Sequence, residues 1–127
     1  MVIRRRWRRL LAAGVVFVLV ILSVRALDSA STIAYYRVVN DQTLSVGTIE
    51  GHNAWTRVTA LDESPTSVTI TVSSFLFQLG PGTADGVPVV TEVKLHDPIG
   101  TRAVVDGSSG LSVNQCTHVP SNPTDCF

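Results

Sequence analysis

The chain has 127 residues and a mass of 13.6 kDa, room for one small domain and no second core of useful size. Its formal net charge of zero is a cancellation: residues 1–25 carry six Arg and no acid, whereas residues 26–127 carry ten acids against Arg37, Arg57, Lys94 and Arg102. That split argues against nucleic-acid binding, because the basic cluster abuts an apolar run and the rest is acidic, and a hydrophobic content of 45% excludes a disordered chain.

Residues 1–9 form a basic flank with five Arg, and residues 10–24 are apolar apart from Gly14 and Ser23, with Arg25 closing the run. This is the layout of a transmembrane or signal segment, which we place at residues 10–27. The positive-inside rule puts residues 1–9 in the cytoplasm and everything after Arg25 on the other side of a cell membrane crossed once. As a helix the run spans about 22 Å, short of the roughly 30 Å hydrocarbon core. Trp7 at headgroup level and snorkelling Arg9 and Arg25 close part of that gap. The expected outcome is a permanent signal anchor. The alternative is cleavage after Val24-Arg25-Ala26 or Ser29-Ala30-Ser31, which would release a secreted domain.

Residues 28–32 are small and polar and read as a spacer, followed by an extracytoplasmic β domain over residues 33–113. Val and Thr dominate there, with turn residues at regular intervals, the pattern of an all-β fold. Strands are expected at 33–40, 43–50, 54–62, 67–78, 87–96 and 101–106, with a short one at 111–113. Asn40-Asp41, Gly51-His52-Asn53, Glu63-Ser64-Pro65, Asp97-Pro98-Ile99-Gly100 and Asp106-Gly107 supply the turns. Short connections predict an antiparallel meander through the first four strands, with residues 79–86 crossing between sheets. A small antiparallel sandwich of six to seven strands fits best, and a small barrel is the alternative.

Within residues 67–78, Val68, Ile70 and Val72 alternate with Ser67, Thr69, Thr71 and Ser73, so the apolar set faces the core. Unbroken alternation would put Phe75 and Phe77 on the Thr face, and a bulge at Ser73-Ser74 is expected to turn both rings inward; the alternatives are that this end of the strand is covered on both faces, or that the two rings form an exposed aromatic contact pair. By the same alternation Val89, Thr91, Val93 and Leu95 face inward and Val90, Glu92, Lys94 and His96 outward.

The tail, residues 114–127, holds the two cysteines, Cys116 and Cys126, whose placement beyond the membrane segment predicts a disulfide bond. Unpaired thiols, or a zinc site shared with His118, are the alternatives.

Motifs for hydrolytic, phosphate-binding or metal chemistry are missing, so no enzyme, cofactor or metal is expected. His96, Asp97 and Ser108 supply the residue types of a nucleophilic triad, but those types occur by chance in a chain this long. Asp106-Gly107-Ser108-Ser109-Gly110 reads as a hairpin turn, and His52 as a loop residue. The acids at strand ends (Asp41, Glu50, Asp62, Glu63, Asp97, Asp106) read as solubility and edge protection, with weak calcium binding the alternative. Trp55 shares a strand face with Arg57, Thr59 and Leu61, and is expected either to anchor the core or to stack on Arg57 as a contact surface, the core being favoured. Tyr35 and Tyr36 point to opposite faces, so one is expected inside and the other available for contacts.

Asp97-Pro98-Ile99-Gly100-Thr101-Arg102, Val104-Val105-Asp106-Gly107 and Tyr36-Arg37-Val38-Val39-Asn40 together resemble small exported or membrane-anchored bacterial β domains of unassigned activity. The resemblance covers residues 33–113 and implies a bacterial membrane segment joined to a Val/Thr-rich β region, with no catalytic residue to carry over. Nine Arg against one Lys also fits a GC-rich bacterial gene. The expected function is a non-catalytic extracytoplasmic binding or scaffolding module, partnered by the membrane through residues 10–27 and by an unidentified envelope protein or surface ligand. A small secreted hydrolase or metal-dependent enzyme and a purely structural surface domain are the alternatives.

Overall fold

In a computed structural model of the chain, the described residues are 15–16, 28–51, 54–76, 86–118 and 126. The expected N-terminal helix falls outside them except for Val15 and Val16, which are helical. Among the described residues no helix is long and apolar enough to cross a membrane.

The described residues form eight strands: β1 (Asp28–Ser31), β2 (Ile33–Asn40), β3 (Thr43–Glu50), β4 (Ala54–Glu63), β5 (Ser67–Leu76), β6 (Val87–Lys94), β7 (Ala103–Asp106) and β8 (Asn114–Gln115). They form two four-stranded sheets. In the first, β5 pairs along one edge with β4, while β7 and β1 share its other edge, β7 along Ser67–Ile70 and β1 along Val72–Phe75. The second runs β6-β3-β2-β8. Neither sheet closes into a barrel, and the pairing is mixed: β5–β7 and β2–β8 are parallel, so a purely antiparallel arrangement does not hold.

The two sheets share one core. Val68, Ile70 and Val72 of β5 and Val104 of β7 meet Leu44 and Val46 of β3, Ile33 and Tyr36 of β2, and Val93 of β6, with Leu95 and Ile99 from the loop after β6. The wet outer face of β6 is as expected, with Val90, Glu92 and Lys94 exposed and Val93 buried. Val and Ile suit both needs here, because β-branched side chains fit a pleated surface and fill the gap between sheets.

The expected meander is interrupted. Strands β2–β3 and β4–β5 are hairpin partners, but β3 pairs with β2 and β6, so the chain changes sheets between Glu50 and Ala54. Four residue steps reach about 13 Å when extended, enough for the roughly 10 Å between packed sheets, so a long connection was unnecessary there. The chain also changes sheets between β1 and β2, so residues 28–31 are an edge strand rather than a spacer. It does so again between the bridge at Ser112 and β8, which carries the second sheet past residue 113 into the tail.

The bulge lies in β4, not β5. Register shifts between Val58 and Ala60, leaving Thr59 unpaired, whereas β5 keeps register against β1 through Ser73 and Ser74. The reason is visible in β4: Val58 and Leu61, three apart, both pack on the core, and only an extra residue puts them on one face. Ser74 consequently continues the buried face of Val68, Ile70 and Val72, and Phe75 stands on the outer face beside Trp55. Phe77 lies outside the described residues.

Candidate functional site

Among the described residues, three polar clusters and one surface are the candidate places for chemistry or recognition. The first joins the β4–β5 turn to the loop after β6. Glu63 accepts hydrogen bonds from the His96 N–H at 2.7 Å, His96 Nδ1 at 3.1 Å, the Asp97 N–H at 3.3 Å and Arg102 Nη1 at 3.0 Å. The His96 N–H, then Arg102 and the Asp97 N–H, hold its carboxyl down to about 2 from 4.5. Because the carboxylate is ionised, His96 Nδ1 is the donor in that contact. Arg102 spends its remaining donors on the carbonyls of Asp97 at 2.7 Å, Pro98 at 2.8 Å, Ile99 at 3.4 Å and Ser64 at 3.5 Å. With side chains 9% and 10% exposed, Arg102 and Glu63 form a closed clasp rather than a reactive pair.

The second cluster is centred on Asp106, whose carboxylate is buried at the end of β7. It accepts the Ser108 N–H at 2.9 Å, both oxygens accept the Ser108 hydroxyl at 2.8 Å, and Oδ2 also accepts the Ser109 hydroxyl at 2.9 Å and the Ile33 N–H at 3.3 Å. This is the expected hairpin turn, and it also pins the corner between β1 and β2. A Cβ on Gly107 would overlap Thr71 Oγ1, so only glycine lets this turn close on β5. His96, Asp97 and Ser108 make no triad: His96 belongs to Glu63 and Ser108 to Asp106.

The third is the tail. Cys116 and Cys126 are joined in a disulfide, as expected. The donor atoms of Cys116, His118 and Cys126 lie within 4.8 Å of one another, one group of the kind that holds a metal. With the sulfurs bonded to each other, His118 is the single donor left there. His52 lies outside the described residues.

The surface is the outer face of β4 and β5. Trp55 is 78% exposed, so the core position expected for it does not hold. It opposes Phe75, which in turn opposes Asp28 of β1, and Arg57 follows on the same face of β4. The bulge at Thr59 sends Leu61 to the other side. Neither tyrosine joins this surface. Tyr36 packs in the core, where burial raises its phenol, and Tyr35 is 3% exposed with its ring over Gly47, where any Cβ would overlap it. A one-residue shift after Ile33 in β2 sets both orientations.

Phe75, expected inside after a bulge, lies instead on this outer face, the outcome that the alternative reading of an exposed aromatic pair describes. The signal was the alternation itself, which places it outward unless a bulge is invoked. Behind this surface, on the inner side, Ser29, Ser31, Ser74, Ile33, Ile49 and Glu50 help line a cleft of about 480 Å³. The buried Ser31 hydroxyl finds no hydrogen-bond partner there among the described residues. Compared with known proteins, the chain matches no protein family, no curated protein and no solved structure.

Proposed function

We propose that the chain is a non-catalytic binding or scaffolding module, a two-sheet sandwich held outside the cytoplasm by its leading apolar segment. Its working surface is the outer face of β4 and β5. The observation that carries this reading is the placement of Trp55, a large aromatic left 78% exposed on a sheet face that has no covering layer among the described residues. The side chains with chemical capacity point the same way, since Glu63, Arg102, Asp106, Ser108, Cys116 and Cys126 are each engaged by internal partners. The Arg cluster before residue 10 and the apolar run after it support the anchored topology.

Fusing a reporter enzyme that works only outside the cytoplasm after Phe127 tests the orientation. Activity is the expected result, and activity of a cytoplasmic reporter alone would overturn it. Intact mass of the membrane-extracted protein should retain residues 1–26, whereas a soluble product beginning at Leu27 or Thr32 would replace the anchor with a cleaved signal.

A further inference from the structure

We infer that the outer face of β4 and β5 around Trp55 and Phe75 rests on the lipid headgroup layer of the bilayer from which the chain emerges, with Trp55 as its interfacial anchor. This rests on reading residues 10–27 as a membrane segment.

The first argument is an inversion of polarity. Along most of β5 the apolar residues face the core and Ser or Thr faces outward. At the β1 end this reverses. The inner rung across three strands is Ser29–Ser74–Thr56, all hydroxyl, with Thr56 Oγ1 bonded at 2.6 Å to Thr91 Oγ1 of the other sheet. The outer pair beside it is Phe75 and Trp55, directly opposed on β5 and β4. A sheet with one face on its core and one in water shows the opposite arrangement. Two aromatics on the outside with hydroxyls on the inside fit a sheet whose outer face meets a second apolar medium.

The second argument is reach. Four residue steps separate Val24, the last of the apolar run, from Asp28, a tether of at most about 14 Å. Asp28 and Trp55 lie two strands apart on one rung, which is about 10 Å. The Glu63–Val68 rung at the other end of β4 is displaced by about 25 Å along the strands. The tether therefore holds the aromatic end of the sheet, and not the clasp end, at the membrane. Because β4 is an edge strand, Trp55 meets that surface without a neighbouring strand in the way.

The third argument is the chemistry of the side chain. Trp has an apolar body and a single N–H donor, and it partitions to the headgroup level where one part is dry and the other is wet. A closed protein contact, such as a second copy of the chain, would also shield the ring, and the experiment separates the two.

The full chain carrying Trp7→Phe, which leaves Trp55 as its sole tryptophan, is placed in nanodiscs of phosphatidylcholine and phosphatidylglycerol, with or without lipids brominated high on the acyl chain. Trp55 emission should fall by roughly half in the brominated discs, as for a ring at the interface. Emission unchanged by bromine overturns the inference, whether iodide quenches it freely from the water or protein shields it. In the companion Trp55→Phe chain Trp7 alone emits, which verifies that the quencher reaches the interface. Alkaline carbonate washing of vesicles separates the two readings. A chain retained but unquenched defeats the lipid contact alone, and a chain washed away defeats the anchor and this inference together.

Discussion

The clasp end of the two sheets and the β1 end are built from the same strands and use opposite chemistry. At the clasp end Leu44, Ile70, Val93, Leu95 and Ile99 fill the interior, and the polar groups close over them. The Leu95 N–H bonds the Gln42 carbonyl at 2.8 Å, the Ile99 N–H bonds the Asp41 carbonyl at 2.7 Å, and the Glu63–Arg102 clasp locks the same loop onto the neighbouring turn. At the β1 end the interior narrows to serines and threonines, and the largest rings, Trp55 and Phe75, stand outside. Apolar burial is the main source of folding free energy, so the clasp end supplies most of the domain's stability. That leaves the β1 end free to carry a surface that a domain optimised only for folding would not expose.

The largest expected effect is therefore at the clasp-side core. Ile70→Ala removes a fully buried side chain and should cost roughly 2–5 kcal/mol by denaturant unfolding, a large share of a small domain's stability. A loss under about 1 kcal/mol would mean that the interior collapses around the gap and that the two ends of the sandwich differ little in packing.

Next is the disulfide. Closing a loop of ten residues contributes roughly 2–3 kcal/mol through the unfolded chain. The loss in Cys116→Ala/Cys126→Ala should be felt first at the second sheet's β8 edge, because the Cys116 N–H bonds the Tyr36 carbonyl at 2.7 Å beside the β8–β2 pairing. Hydrogen exchange should show the amide of Tyr36, on the edge of β2 that faces β8, released well before those of Ile70 and Val104. Uniform loosening of both sheets would show instead that the tail supports the whole core.

The third effect is confined to acid. Glu63 is held at about 2 when folded against 4.5 in its ordinary state, so the clasp contributes fully above 4.5 and is lost as pH falls from there toward about 2. In Glu63→Gln that part of the pH dependence should vanish, leaving a melting temperature that is lower at neutral pH and flatter between those values. A wild-type-like acid profile in Glu63→Gln would move the acid sensitivity to another carboxylate.

Much of this architecture is legible in the sequence, because strands and turns are local. Val and Thr alternation with Asn-Asp, Ser-Pro and Asp-Gly punctuation places β2 and β3 at residues 33–40 and 43–50 without error. What is not legible is non-local. Glu63 meets Arg102 across 39 residues, and no spacing rule joins them. Alternation separates two faces of a strand but does not say which face is covered, and the assumption that Phe rings must be inside led to a bulge in the wrong strand. The information was present in the Val58–Leu61 spacing of β4, but only the register between β4 and β5 gives it meaning. The exposed Trp55 is likewise set by cross-strand register rather than by anything in its own segment.

The smallest expected effect on folding is the one that tests the inverted end most directly. If Trp55 and Phe75 were core residues, replacing either with Ala would cost roughly 3–5 kcal/mol. On the outer face they form instead a directly opposed cross-strand pair, for which a coupling of about 0.2–1 kcal/mol is expected. Trp55→Ala alone should stay within about 0.5 kcal/mol of wild type, because a side chain 78% exposed has little burial to lose. Phe75→Ala should cost more, since that ring is half-buried, but still well below a core deletion. A double-mutant cycle measured in detergent-solubilised full chain isolates the pair from any surface it meets. A severe Phe75→Ala with a mild Trp55→Ala would place the Phe75 ring under a covering segment and leave Trp55 alone as the exposed aromatic. Mild single changes with a coupling in the expected range would make the pair a surface feature that folding barely needs, and the reason for its presence then lies in what the face touches.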